Sequence, residues 1–234
     1  MPMAQHRKRT ARIRPAWIVW GMVSFALSIY MSMAQIASHT TTARLQLEPT
    51  NVVQIRLFRL FDDTLDFRLK FKGNGRDRRP ELGSYRSTDK KDGLSRYQPG
   101  AEVQFLVSGA LTPPQRYEAI PLGNLYRPDE NTRRMTANLS IQPGVYRWPP
   151  PPSTPVTHLH AGFNLVRFEV ASVGEPFAGE TVSLEVLPPL GFKQGKASAV
   201  WLWWGLLWPF ILLPQVLWGL LLCPGGLRRR EAQG

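Results

Sequence analysis

Two stretches of this chain, residues 16–36 and 197–222, are long and apolar enough to cross a bilayer and contain no Asp, Glu, Lys or Arg. At about 1.5 Å rise per residue, roughly 20 helical residues span a hydrocarbon core of about 30 Å. The order along the chain is then a basic tail (1–15), a first transmembrane helix (16–36), an extramembrane domain (38–196), a second transmembrane helix (197–222) and a second basic tail (223–234).

Charge orients this arrangement. Arg7, Lys8, Arg9, Arg12 and Arg14 precede the first stretch, and Arg228, Arg229 and Arg230 follow the second. Lys and Arg collect on the cytoplasmic side, so both termini are expected there and the middle domain on the other side. Lys193 and Lys196, just before the second stretch, run against this rule. Trp17 and Trp20 open the first stretch; Trp201, Trp203 and Trp204 open the second, with Trp218 near its end. Indoles favour the headgroup level. The competing reading of the first stretch is a cleaved signal peptide, with Ser32-Met33-Ala34 as a small-x-small site.

The formal net charge of +12 invites a nucleic-acid reading. Eight of the 29 basic residues lie in the two tails, and the domain holds the other 21 against 16 acids. Most of the excess is topogenic, and no nucleic-acid partner is expected. Within the domain the basic residues are densest from Arg68 to Arg96. The polar, glycine-containing run 73–98 reads as a long loop. Arg76, Arg78, Arg79, Lys90 and Lys91 are its candidates for contact with an anionic glycan or lipid, against a merely solvated loop. The single cysteine, Cys223, excludes an intrachain disulfide, so the domain has to rely on its own core.

Between the apolar stretches, short alternating runs recur at 43–47, 52–60, 64–71, 102–107, 116–120, 135–141, 163–171 and 181–187. In 52–60, Val53, Ile55, Leu57 and Arg59 share a face; in 64–71, Leu65, Phe67, Leu69 and Phe71 do. Phe61-Asp62-Asp63-Thr64 reads as a tight hairpin turn, and 163–171 with 181–187 as a second hairpin. The fold class is a mainly β membrane protein: two transmembrane helices flank one antiparallel β-sandwich, Ig-like or jelly-roll-like. Trp148 leads a Pro149–Pro152 run, a polyproline spacer or a docking ligand.

Signals for chemistry are sparse. No nucleophile elbow, phosphate-binding loop or His-Glu-x-x-His is present, and Asp62, Asp63 and Asp66 read as turn or surface carboxylates. His158 and His160, at i and i+2 of a strand, share a face and are weak candidates for copper or zinc. No cofactor is expected. Ser24, Ser28 and Ser32 form a small-residue stripe which, with Gly205 and Gly219, suits close helix packing, either within this chain or against another membrane subunit. Pro209 and Pro214 are expected to bend the second span.

These features lead to the expectation of a non-catalytic subunit or assembly factor of the bacterial inner membrane. Its periplasmic domain would bind protein subunits of an envelope complex, with membrane lipid around its helices. A periplasmic module for an anionic glycan or lipid, and a metal-handling protein using His158 and His160, are the alternatives.

Overall fold

The structure, a computed structural model, describes residues 15–73, 79–88, 93–109, 112–121, 131–147, 149–191 and 196–223. The chain divides into two compact units, Ile36–Val200 and a helical unit of Met1–Gln35 with Trp201–Gly234.

The first unit is mainly antiparallel β-sheet. Its strands are β1 (Thr41–Gln46), β2 (Val52–Arg59), β3 (Asp63–Thr64), β4 (Phe67–Lys70), β5 (Ser84–Thr88), β6 (Leu94–Gln98), β7 (Val103–Gly109), β8 (Gln115–Pro121), β9 (Thr132–Thr136), β10 (Val145–Arg147), β11 (His158–Leu159), β12 (Gly162–Val173) and β13 (Thr181–Val186). Eight form one sheet in the order β1-β13-β4-β9-β8-β7-β12-β2. Alternation of side chains puts Leu45, Leu57, Phe67, Phe105, Phe168 and Leu184 on the inner face, where they join one core.

The two edge strands, β1 and β2, are consecutive in sequence, and the turn between them joins the edges. Leu47 N–H donates to Glu180 O (2.9 Å), and Gly179 N–H to Leu47 O (2.9 Å). On the other flank Thr50 N–H donates to Val170 O (2.9 Å), and Val170 N–H to Asn51 O (2.9 Å). The sheet is thus rolled into a nearly closed barrel- or sandwich-like body. Phe177, fully buried in the link from β12 to β13, plugs it against Phe71 with ring centroids 4.7 Å apart.

The expected strands at 43–47, 52–60, 102–107, 116–120, 163–171 and 181–187 are present with small boundary shifts. Their pairing differs. β12 and β13 are not a hairpin: β12 pairs with β2 and β7, and β13 with β1 and β4. The polar residues between them cross from one flank of the body to the other instead of turning back. The expected hairpin turn at 61–64 is also absent, because β2 and β4 are not neighbours and Asp63–Thr64 is itself a strand, paired with β11. The run expected at 135–141 is strand only to Thr136, in β9. The expected loop 73–98 holds a 3₁₀ turn (Pro80–Leu82) and strands β5 and β6, which with β10 make a three-stranded sheet. Gly83 permits this turn: its φ is +74°, and a Cβ there would lie 2.5 Å from Gln98 O. In the proline-rich stretch, Trp148 lies outside the described residues and Thr154 N–H turns back onto Pro151 O (2.9 Å).

The helical unit contains α1 (Pro15–Ser38), then, after the β unit, a 3₁₀ run (Val200–Leu207) leading into α2 (Trp208–Leu222). Pro15–Ser38 and Val200–Leu222 are each long and apolar enough to cross a membrane. They run antiparallel. Gln215, buried on α2, donates from Nε2 to Ser24 Oγ (2.6 Å) and to Trp20 O (3.2 Å), while Trp20 Nε1–H donates to Gln215 O (3.0 Å). Tyr30 OH donates to Trp201 O (2.7 Å). The irregularity expected from the prolines sits at Pro209, the first turn of α2, where the 3₁₀ run gives way to α-helix.

Two outcomes test this architecture in detergent-solubilised chain. Phe177→Ala is expected to destabilise the β unit by about 3–5 kcal/mol, whereas Leu165→Ala, on the exterior, stays within about 0.5 kcal/mol. Chemical denaturation followed by tryptophan-independent circular dichroism reads both. Thr50, the only non-glycine with positive φ among the described residues (+68°), is strained by its β-branch. Thr50→Gly is expected to raise the midpoint by relieving about 1 kcal/mol.

Candidate functional site

Among the described residues, five ionisable groups come together at one end of the β unit, in a cleft of about 350 Å³ lined by Asp62, Asp63, Thr64, His158, Leu159, His160, Lys196, Ala197 and Ser198. β3 and β11 build it by pairing His158 with Thr64 and Leu159 with Asp63. Leu159 points into the core, so the histidines on either side of it face outward.

Asp63 is the centre of the cleft. Its side chain is fully buried between two cations. Lys196 Nζ donates to one carboxylate oxygen and also to Thr64 O and Oγ1. Arg59 Nε stands 3.5 Å from the other oxygen, an ion pair without a good hydrogen bond, while its Nη2 donates to Leu187 O (2.9 Å). Burial pushes the Arg59 pKa down, and the Asp63 charge opposes that shift. Asp63 is therefore not the solvated turn carboxylate that its sequence context suggests. It ties together the ends of β2 and β3 and the segment preceding the second apolar helix.

Asp62 and His160 are exposed. Asp62 Oδ1 accepts from Ala161 N–H (2.9 Å) and lies 3.8 Å from His160 Nδ1. Asn164 fixes the local backbone by accepting from His160 N–H (2.9 Å) and donating to His160 O (2.7 Å). The two histidines thus border one cleft, as their spacing predicts. Among the described residues no group of three or more His, Cys, Asp and Glu side chains is arranged to hold a metal.

A second polar cluster is internal. Arg133, a buried residue of β9, donates to the carbonyls of Ala101 and Ala119, with its guanidinium 5.9 Å from the Phe177 ring. Burial pulls its pKa down to about 10, against the opposing influence of Tyr146 and Glu118. Glu118 accepts from Ser140 N–H (2.9 Å) and Tyr146 OH (3.1 Å), and burial first, then this carboxylate, pushes the Tyr146 pKa up. Sequence reasoning missed Arg133, since a polar Thr-Arg-Arg run gives no sign that its middle member points inward.

Of the basic residues expected to meet an anionic ligand, Arg76, Arg78, Lys90 and Lys91 lie outside the described residues. Arg79 is engaged: it holds Glu180 through two hydrogen bonds (2.6 and 2.8 Å) and Glu81 through a third (2.6 Å). The Glu180 hydrogen bonds raise its pKa further. Arg68 pairs with Glu185 at 2.6 Å.

In the helical unit, Gly205 and Gly219 are packing positions. A Cβ at Gly205 would lie 2.6 Å from the Ala34 Cβ, and one at Gly219 3.1 Å from the Trp20 indole. Ser24 joins this contact through Gln215, but Ser28 and Ser32 are exposed and bond back to the carbonyls of Ser24 and Ser28. The stripe drifts off the seam because four residues exceed one helical turn of 3.6. Trp201 and Trp204 are exposed, Trp17, Trp20, Trp203 and Trp218 half-buried.

No family model matches the chain, and no curated protein matches it. Among solved structures, a protein from Sulfurospirillum deleyianum is similar at 13% identity and a TM-score of 0.40, over 64% of this chain and 97% of that one.

Asp63→Asn is expected to leave the buried Arg59 and the half-buried Lys196 without their shared acid and to cost about 3–5 kcal/mol, whereas exposed Asp62→Asn stays within about 0.5 kcal/mol. Equilibrium unfolding of the two variants side by side distinguishes a structural carboxylate from a solvated one.

Proposed function

We propose that this chain is a non-catalytic, membrane-anchored binding subunit or assembly factor. Both termini are cytoplasmic in this reading, and the β unit works in the periplasm of a bacterial envelope, where it engages other protein subunits. The immunoglobulin-like or jelly-roll-like sandwich expected from the strand pattern is supported as far as a nearly closed, mainly antiparallel β body. The observation that carries the reading is the pair of apolar helices, locked to each other by Gln215 while Phe25, Phe210, Leu213 and Leu221 stay at least 65% exposed. Leaving such side chains in water forgoes about 1.5–3 kcal/mol each, so a lipid or protein environment is the physical complement of this surface.

The buried ionisable groups among the described residues support a structural role over a catalytic one. Asp63, Arg59, Lys196, Arg79 and Arg133 are all spent on internal partners, and a catalytic carboxylate needs a free reacting face. The anionic-ligand reading is disfavoured at Arg79, which already holds Glu180 and Glu81.

Photo-crosslinkers placed at exposed helix positions Phe25 and Phe210, followed by mild detergent extraction, are expected to recover a defined membrane protein. A monodisperse, partnerless monomer from the same membranes overturns the proposal. Gly205→Val, which drives a side chain into Ala34, is expected to abolish a disulfide engineered between α1 and α2 and to reduce that adduct.

A further inference from the structure

The two ends of the β unit leave it together. Leu190 N–H donates to Ala37 O (3.0 Å), Lys196 N–H to Pro189 O (3.1 Å), and Lys196 Nζ to the Asp63–Thr64 strand. Residues 36–40 and 187–199 therefore share one end with the close of β2, the start of β12 and the cleft. The segments that connect to both apolar helices begin at this end.

The outer face of the β2–β12 pair changes character along its length. At the tether end Phe163 is 69% exposed, Leu165 52% and Phe58 41%. Phe163 and Phe58 are cross-strand partners with ring centroids 5.1 Å apart. Arg56, the partner of Leu165, lays its guanidinium 4.3 Å over the Phe163 ring. Two residues further along β12 the same face turns to charge, with Arg167 bonded to Glu169 at 3.0 Å and Gln54 opposite. A cross-strand aromatic pair steadies a sheet in any solvent. That role does not account for an exposed Leu165, nor for the two exposed rings of this face lying where the tethers leave, while its far end carries only Val52, 37% exposed opposite Glu169.

Building on the reading that the helices cross a bilayer, we propose that Phe58, Phe163 and Leu165, with Arg56, form a lipid-contact surface. It rests the β unit on the headgroup layer of the membrane that anchors it. Aromatic rings settle at the water–hydrocarbon boundary, and an arginine stem lies along apolar surface while its charge reaches phosphate. The charged half of the same face, at Arg167 and Glu169, stays in water.

The test uses the full chain with Cys223→Ser, reconstituted in vesicles of phosphatidylethanolamine and phosphatidylglycerol. Single cysteines replace Phe163, Ala171 at the far end of the same outer face, or Leu213 in α2, each carrying an environment-sensitive fluorophore. Position 163 is expected to emit to the blue of position 171 and to be quenched about two-fold by shallow spin-labelled lipid. Position 213 is expected to be quenched by deep spin-labelled lipid. Quenching at 213 with water-like emission at 163 overturns the lipid-contact proposal and leaves the spanning helices standing. A blue-shifted 163 that shallow quencher does not reach means a protein covers the patch, which also overturns it. Absence of quenching at 213 overturns both readings.

Discussion

The two edge strands of the sheet are held near each other by the short Leu47–Asn51 turn, whose four backbone hydrogen bonds, two to Glu180 and Gly179 and two to Val170, continue the β1–β13 and β2–β12 ladders into it. Open sheet edges present unpaired N–H and C=O groups that recruit other chains. Here one short turn draws both edges together. Thr50 keeps an unfavourable backbone conformation because its N–H is one of the four donors. The plug at Phe177 depends on the same geometry, since its link runs beside that turn and crosses the body at the point of closure.

The cation-rich interior follows from closure. A rolled sheet has few interior positions, and carbonyls left unpaired at its ends need donors. Arg59 supplies one to Leu187 and Arg133 supplies two, to Ala101 and Ala119. Arg59 forms an ion pair with an acid, Asp63, which it shares with Lys196, while Arg133 feels Glu118 without pairing to it. Buried charges of this kind add little net stability against an apolar replacement, but losing one member is costly. They set geometry: within the β unit, Lys196 holds its own segment to the Asp63–Thr64 strand.

How much of this was legible in the residues depended on the range of each interaction. Alternation is local, so Val52–Arg59, Phe67–Lys70 and Gly162–Val173 stood out, including Arg59 as an inward residue. Pairing is not local, and nearness in sequence suggested hairpins for β12–β13 and for residues 61–64 where the chain crosses the body instead. Asp63 resembled a turn residue because its two cations come from Arg59 and from a position 133 residues later. Lys196 had left a signal, as a positive charge running against the orientation expected for the second apolar stretch; its bonds to Asp63 and Thr64 give it a role inside the β unit. Gln215 left one too, as a lone amide in an apolar run, a residue that hydrocarbon tolerates only with a partner. Gly205 and Gly219 lie where the two apolar helices touch, and of the serine stripe Ser24 reaches that contact, through Gln215.

The strand that opens the β unit is paired with the one that ends it, Thr41 lying opposite Val186. At about 5–20 residues per second, roughly 7–30 s of synthesis separate the two. Through that interval β1 has no partner on either flank, and neither the sheet nor its core can be completed. The nascent domain must be kept soluble by other means until its last strand emerges, immediately ahead of the second apolar helix. The order of assembly is therefore written into which strand is neighbour to which.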